Sequence, residues 1–327
     1  MKRLFLLLPV VAIVVVAIVL LNAGQNGNTQ EVVIFHAAGI TPFIEAVRDK
    51  CRNELGIELV AESSGSQVAV RKVTELGRDC DLAILADRGL VELMMRSSTD
   101  WRLDFALDEV VLGVGSKARY IDEAQQNWPD VFEHDDVRLG RVDEDQGPIG
   151  YRTLLVWKLA GKYFSNEGLY NTLDAHCEKV VDHVTLLTPL LKNGELDYAF
   201  VYRSICIAQD IRFIELADEI NLGDIDTDYS LASVSFRKGS TGGETVTVSA
   251  EPICWTLTAP SNRPISDSTA AFLRFLLTEG RNVLSASGFK VLEKPALYGN
   301  GSEDFIAVSS VLEGIAEKSG TIDFEKD

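Results

Sequence analysis

From residue 31 onward, short apolar runs alternate with segments of helical spacing, and this alternation constrains the fold more than any other feature. It is the signature of sheets layered with helices, so the fold class is α/β. The run at 81–87, Asp-Leu-Ala-Ile-Leu-Ala-Asp, is apolar without a break, as a strand covered on both faces must be. Residues 32–35 and 57–61 read as the two strands before it. Between them Thr41 is placed to cap a helix with Pro42 at its first position. Phe43, Val47, Cys51 and Leu55 then recur at helical spacing. Residues 63–66 form a loop, and a helix over 67–76 ends at Gly77, a residue suited to a left-handed stop.

Further along, 105–114 reads as one long apolar strand. A helix over 150–164 follows Pro148, with Leu154, Leu155, Trp157 and Leu159 inward. Near 197–204, Tyr198, Phe200 and Tyr202 alternate with Ala199 and Val201 in a strand. Residues 208–250 are polar and suit surface strands and loops, and 253–259 reads as a returning strand. Asp267 is placed to cap a helix through 277, with Ala271, Phe272, Phe275 and Leu276 as its apolar stripe. Residues 299–327 lack a clear period and read as a loosely held tail.

The 327 residues suffice for two domains of ordinary size, and 46% hydrophobic with 24% charged residues is a globular balance. Lys2 and Arg3 precede an unbroken apolar run over 4–21, followed by Asn22, Ala23 and Gly24. That is an export signal. Its apolar run is long for a signal peptide and long enough to span a bilayer. Leu21-Asn22-Ala23 is a poor cleavage site, so 1–24 is either a cleaved signal peptide or a retained membrane anchor. Both place the rest of the chain in the periplasm or another extracytoplasmic space. No Cys precedes Cys51, which argues against a lipoprotein. The formal net charge of −18 excludes nucleic acid, which needs clustered cations. It does not exclude a small buried anion, because backbone N–H groups and helix starts can hold one in an acidic protein.

Cys51, Cys80, Cys177, Cys206 and Cys254 fit no zinc spacing. An odd count leaves at least one free; Cys51 and Cys80 could pair, or all five are buried small hydrophobes.

Two strand–loop–helix units, at 34–43 and 59–68, aim small-residue loops at helix starts. Gly39 allows close backbone approach, and Ser64, Gly65 and Ser66 offer hydroxyl and N–H groups where an anion is favoured. The bland alternative is that the Ser-Gly-Ser run only caps its helix. Tyr151 and Tyr202 could each donate one phenolic hydrogen bond, or could be ordinary core or rim tyrosines. His36 reads as a packed strand-end histidine, and Arg71 as a surface or interlobe cation.

Four segments carry a family resemblance. They are Phe35-His36-Ala37-Ala38-Gly39; Ser64-Gly65-Ser66 running into Arg71-Lys72-Val73-Thr74-Glu75-Leu76-Gly77-Arg78; Pro148-x-Gly150-Tyr151-Arg152; and Gly194-Glu195-Leu196-Asp197-Tyr198 leading to Tyr202-Arg203-Ser204. Over residues 31–298 the chain resembles the molybdate/tungstate-binding proteins that feed ABC importers. The resemblance implies a two-lobed periplasmic-binding-protein fold, a Venus flytrap, each lobe a mixed sheet flanked by helices. Residues 31–108 and 256–300 would make lobe one, 109–255 lobe two and 301–327 a C-terminal tail. A small oxyanion would lie between the lobes, held by Ala38, Gly39, Gly65, Ser66, Tyr151 and Tyr202. An ABC transporter permease would be the partner, with the membrane as a second one if 1–24 is retained. No cofactor and no catalytic residue is implied, and a monomer is expected.

The chain also departs from that family. Relatives commonly have Ser where Gly39 stands. Archaeal-type relatives bind the metal centre through two carboxylates. The first position is Gly147 here, with Asp145 two residues earlier; an ungapped match puts Val184 at the second, in an acid-free stretch over 184–191. Direct carboxylate ligation of a metal is therefore not expected, and molybdate or tungstate would stay a tetrahedral, hydrogen-bonded oxyanion. Selectivity against sulfate then falls to cavity size. Two readings remain beside this one: the same fold binding sulfate, another small anion or an organic acid, and a membrane-anchored sensor or scaffold with a degenerate cleft. No G-x-S-x-G, H-E-x-x-H or P-loop motif supports an enzyme.

Overall fold

A computed structural model describes residues 29–239 and 243–322; the leader at 1–24 lies outside them. The chain opens with β1 (Gln30–Ala37), α1 (Thr41–Lys50), β2 (Ile57–Ser64), α2 (Ser66–Thr74), β3 (Leu82–Leu85), α3 (Gly89–Met94) and β4 (Trp101–Asp108). It crosses at Glu109 into β5 (Val110–Val114), α4 (Ile121–Asn127), β6 (Leu139–Val142), α5 (Pro148–Tyr163) and α6 (Leu169–His176). There follow β7 (Cys177–Val181), α7 (Leu187–Asn193), β8 (Tyr198–Tyr202), α8 (Arg203–Ala208) and β9 (Phe213–Glu215). A two-stranded ribbon, β10 (Ser233–Arg237) and β11 (Thr245–Ser249), precedes the return through β12 (Ile253–Thr258), α9 (Asp267–Leu277) and α10 (Gly280–Ala286). The described chain ends with β13 (Lys290–Gly299), α11 (Glu303–Val311) and β14 (Glu317–Gly320).

These elements make two lobes, as the alternating pattern and the resemblance led one to expect. The first holds a seven-stranded sheet in the order β14-β13-β4-β12-β3-β1-β2, the second a five-stranded sheet in the order β7-β6-β8-β5-β9. In each, parallel pairs (β1 with β2 and β3, β6 with β7 and β8) adjoin antiparallel ones. The strands with every residue buried, β3, β5, β8 and β12, sit inside the sheets, flanked on both sides by other strands. The parallel strands deliver β1, β2 and β8 to the same cleft by their carboxyl ends, where α/β sheets bind ligands.

Several local expectations are corrected. The run at 105–114 is two strands rather than one, because the chain leaves the first sheet at Asp108 and enters the second at Val110. Thr41 is inside its helix, the N-cap being Ile40, and its hydroxyl pairs with Ser63 Oγ at 3.0 Å. Ser266, not Asp267, caps α9 by accepting the Thr269 N–H at 3.1 Å. Residues 301–320 are not a loose tail: Ser302 caps α11, and β14 pairs in parallel with β13. Nothing apolar in β14 signals this, since all four of its residues are exposed on an edge strand. All five cysteines are free thiols; burial pushes Cys51 up to about 11 and Cys80 up to about 12, so both stay protonated.

The Gly-Glu-Leu-Asp-Tyr segment is scaffold. Asp197 is fully buried beneath two arginines, accepting from the Arg138 N–H at 2.9 Å, Arg138 Nε at 3.0 Å and Arg119 Nη2 at 2.5 Å. Burial opposes its charge, yet the bonds from Arg119 and Arg138 prevail and lower its pKa to about 2. The folded value lies below the unfolded one near 3.9, so this stabilisation is complete above roughly pH 4 and lost as pH falls towards 2. Asp197→Asn should cost about 2 kcal/mol in urea unfolding at pH 7, because it weakens the charged hydrogen bonds that a buried carboxylate accepts from two half-exposed arginines. The difference from the parent protein should shrink as acid protonates the parent's own Asp197.

Candidate functional site

Where the lobes meet, a cavity of about 20 Å³ is lined from lobe one by Ala37, Ala38, Gly39, Gly65, Ser66 and Ala86. From lobe two it is lined by Val142, Gly147, Pro148, Ile149, His183, Val184 and Tyr202. A single water needs about 10–15 Å³ by the same measure, so the space suits one small group and no organic solute.

Five of the six residues singled out in the sequence (Ala38, Gly39, Gly65, Ser66 and Tyr202) line this space. Tyr151 does not. Its phenol donates to Asp87 Oδ2 behind the cavity, and its ring stacks on Phe236 at 4.9 Å. The two positions where the resemblance expects carboxylates, Gly147 and Val184, both line the wall. Asp145 is engaged elsewhere: its carboxylate accepts from the Arg237 N–H and from Arg237 Nε, each at 2.6 Å. Among the described residues no cluster of three or more His, Cys, Asp or Glu could hold a metal ion.

The donors are neutral. Ser66 Oγ accepts the Ala86 N–H at 3.0 Å, and Tyr202 Oη accepts from Arg152 Nη1 at 3.3 Å. A hydroxyl has one proton, so with protein donors on its lone pairs each is left to donate that proton elsewhere. Burial raises the Tyr202 pKa, so the phenol keeps its proton. Burial lowers the pKa of His36 and of His183, so both are neutral near pH 7. His36 is a packed strand residue whose Nδ1 lies 3.0 Å from the Ala37 carbonyl, and His183 Nδ1 lies 2.8 Å from Thr185 Oγ1.

Three helices begin at or beside the cavity, α1, α2 and α5, and none has a side-chain cap. Helix starts carry partial positive charge, although the Thr41 N–H already donates to the Ala38 carbonyl and the Gly150 N–H to the Gly147 carbonyl at 2.8 Å. Pro148 removes one such donor from α5 but fixes its start. An anion is the natural complement of this arrangement.

The lobes are in close contact around it. Gln67 Nε2 donates to the Glu144 carbonyl at 2.9 Å; Arg71 donates to the Asp145 carbonyl at 3.1 Å and to Gln146 Oε1 at 3.0 Å. Arg71 is thus an interlobe cation. A Cβ on Gly65 would stand 1.9 Å from the Gln146 carbonyl oxygen, so only glycine permits this approach. Deeper in, Arg152 Nη2 lies 2.9 Å from Asp87 Oδ2 while Nη1 donates to the Ala86 carbonyl at 2.5 Å. Burial works against the Arg152 charge, but Asp87 beside it raises its pKa overall. The sequence marked Arg152 only as part of a motif. Nothing in it signalled Ala86, Val142, Ile149 or His183, which meet here only through tertiary structure.

The fold and the cleft define a binding protein with two lobes, and the comparisons agree. The profile described as "Bacterial extracellular solute-binding protein" matches residues 32–290. The chain belongs to that family. The molybdate/tungstate-binding protein WtpA of Pyrococcus abyssi is 31% identical, across 95% of this chain and 100% of its own. An uncharacterized solute-binding protein of Petrotoga mobilis is 35% identical, across 82% of this chain and 85% of its own. The periplasmic molybdate-binding protein of Azotobacter vinelandii superposes with a TM-score of 0.56 at 13% identity, covering 79% of this chain and 98% of that one. At that identity the likeness shows the periplasmic-binding-protein fold. Family membership places the chain among extracytoplasmic transport proteins; among the described residues no helix is long and apolar enough to cross a membrane.

If the cavity takes an oxyanion, the Tyr202 hydroxyl is placed to donate to it, and Tyr202→Phe should lower that affinity by about 10- to 100-fold in calorimetric titration. Stability should change little, because Arg152 Nη1 keeps the Ala86 carbonyl. Gly65→Ala should lower affinity at least about tenfold while leaving the melting temperature nearly unchanged, because its methyl obstructs lobe contact and not the folding of either lobe.

Proposed function

We propose that this protein captures a tetrahedral oxyanion, molybdate or tungstate, between its lobes and delivers it to an ABC importer. Lobe one comprises 31–108 and 256–300, lobe two 109–255, and Ala38, Gly39, Gly65, Ser66 and Tyr202 contact the anion. Tyr151 acts one layer behind, through Asp87. The observation that carries this reading is the small cavity lined by helix starts, Ser66 and Tyr202, whose two hydroxyls each already accept a hydrogen bond from a protein N–H group. The relationship to WtpA, a molybdate/tungstate-binding protein, supports the choice of anion. The role is transport binding with no catalytic step.

A lining with the Ser66 and Tyr202 hydroxyls and no carboxylate favours anions that carry no proton. Molybdate, tungstate and sulfate are unprotonated dianions near neutrality, whereas hydrogen phosphate presents a proton that needs a strong acceptor. Sulfate is therefore the credible rival. A second cavity favours a different reading, an organic anion: it measures about 340 Å³ and is lined by Arg96, Tyr151, Arg152, Asp87 and Glu251. It is amply large, but the motif loops at Gly39 and Ser66 do not reach it.

Titration calorimetry with molybdate, tungstate, sulfate and phosphate separates these readings. Molybdate or tungstate should bind, phosphate should not, and affinity should hold level between about pH 7 and 9, since the tyrosine pKa lies above its usual value and the histidine pKa below. Silence from all four anions, with binding of a small carboxylate, would move the function to the larger cavity.

A further inference from the structure

Gly39 has no room for a side chain, and the obstruction is a single residue. A Cβ built there would lie 2.9 Å from Trp255 Cη2 and 3.1 Å from Cζ2, with Tyr202 Cδ2 next at 3.5 Å. Trp255 comes from β12, the returning strand of lobe one, at a register shift in its pairing with β4. A bulge of this kind re-aims a side chain. The indole is fully buried and is held on three sides. It meets Tyr202 edge-on at 5.8 Å and Phe289 at 5.2 Å, and its Nε1–H donates to Asp108 Oδ2 at 3.3 Å. Asp108 is itself fixed by Ser204 Oγ at 2.5 Å and by the Glu109 N–H at 2.9 Å.

The same indole therefore backs two separate walls of the anion cavity, Gly39 from lobe one and the Tyr202 ring from lobe two. We propose that Trp255 is a specificity-determining residue, setting the cavity's size from behind by fixing how far the Gly39 backbone and Tyr202 stand from the anion. This rests on the reading of the cavity as a site for a tetrahedral dianion. Molybdate and sulfate share charge and shape and differ by a few tenths of an ångström in bond length. A neutral lining with no metal-ligating carboxylate has only that difference to read. A dense core transmits displacements of that size, because the packed groups have nowhere else to go.

The inference gives opposite signs to two substitutions. Trp255→Phe removes the outer ring atoms facing Gly39, so the loop can retreat and the cavity widens. Gly39→Ala pushes against an anchored indole, so the loop moves into the cavity and narrows it. The two changes meet at one contact and should offset each other in the double variant.

The test is competition calorimetry with molybdate and sulfate on the full chain, the two single variants and the double variant. Trp255→Phe should raise the ratio of molybdate to sulfate affinity at least about threefold, and Gly39→Ala should lower it by a similar factor. The double variant should return to the parent ratio. The ratio, not either affinity alone, is the readout, because general loosening of the fold would weaken both anions together. A parent protein that binds both anions, with single variants that leave the ratio unchanged or move it in the same direction, overturns the role of Trp255 and leaves the function standing. A parent protein that binds neither anion overturns the function, and this inference with it.

Discussion

The Arg152–Asp87 pair is the interaction on which the rest of the cleft depends. It joins a helix of lobe two to the strand end of lobe one, with both side chains almost wholly buried. Burying such a pair costs much of what its attraction returns, so it is poor evidence of stability. Its effect is on arrangement. With Asp87 neutralising the guanidinium and the Ala86 carbonyl and Tyr202 phenol taking its hydrogens, no net positive side chain faces the cavity. Tyr151 completes the network by donating to the same carboxylate. One arginine thus orients the Tyr202 hydroxyl that lines the cavity, ties the lobes and keeps its own charge from that space.

An acidic chain that binds a dianion through neutral groups is physically consistent. A formal charge of −18 bears on solubility and encounter, whereas the buried site is governed by local dipoles. Helix starts supply partial charges that need no counter-ion and lose little orientational freedom on binding. Such a site rewards correct geometry. Gly65, which lets the lobes touch at Gln146, and Trp255, which leaves Gly39 bare, both act on geometry alone.

How much of this could be read from the sequence varied with the kind of signal. Strand and helix order followed from apolar periodicity, and glycine and serine beside helix starts marked Gly39, Gly65 and Ser66. Tyr202 was legible as the last of an alternating aromatic strand. Tyr151 was misplaced because its position in the first turn of α5 does not say whether the ring faces the cavity or the layer behind it. Asp197 was marked only as part of a segment carrying the family resemblance, and it is the anchor of Arg119 and Arg138, partners 78 and 59 residues away. The tail failed for a simpler reason: an exposed edge strand buries nothing, so β14 has no period to read. Trp255 carried no local signal at all, since its meaning lies in a glycine more than 200 residues earlier.

The most direct measurement is anomalous diffraction at the molybdenum edge from crystals grown with molybdate. The account predicts one peak between Ser66 and Tyr202, four oxygens around the metal, and no carboxylate bound to it. A peak in the larger cavity beside Arg96 and Glu251, or a metal ligated by side-chain oxygens, would contradict it.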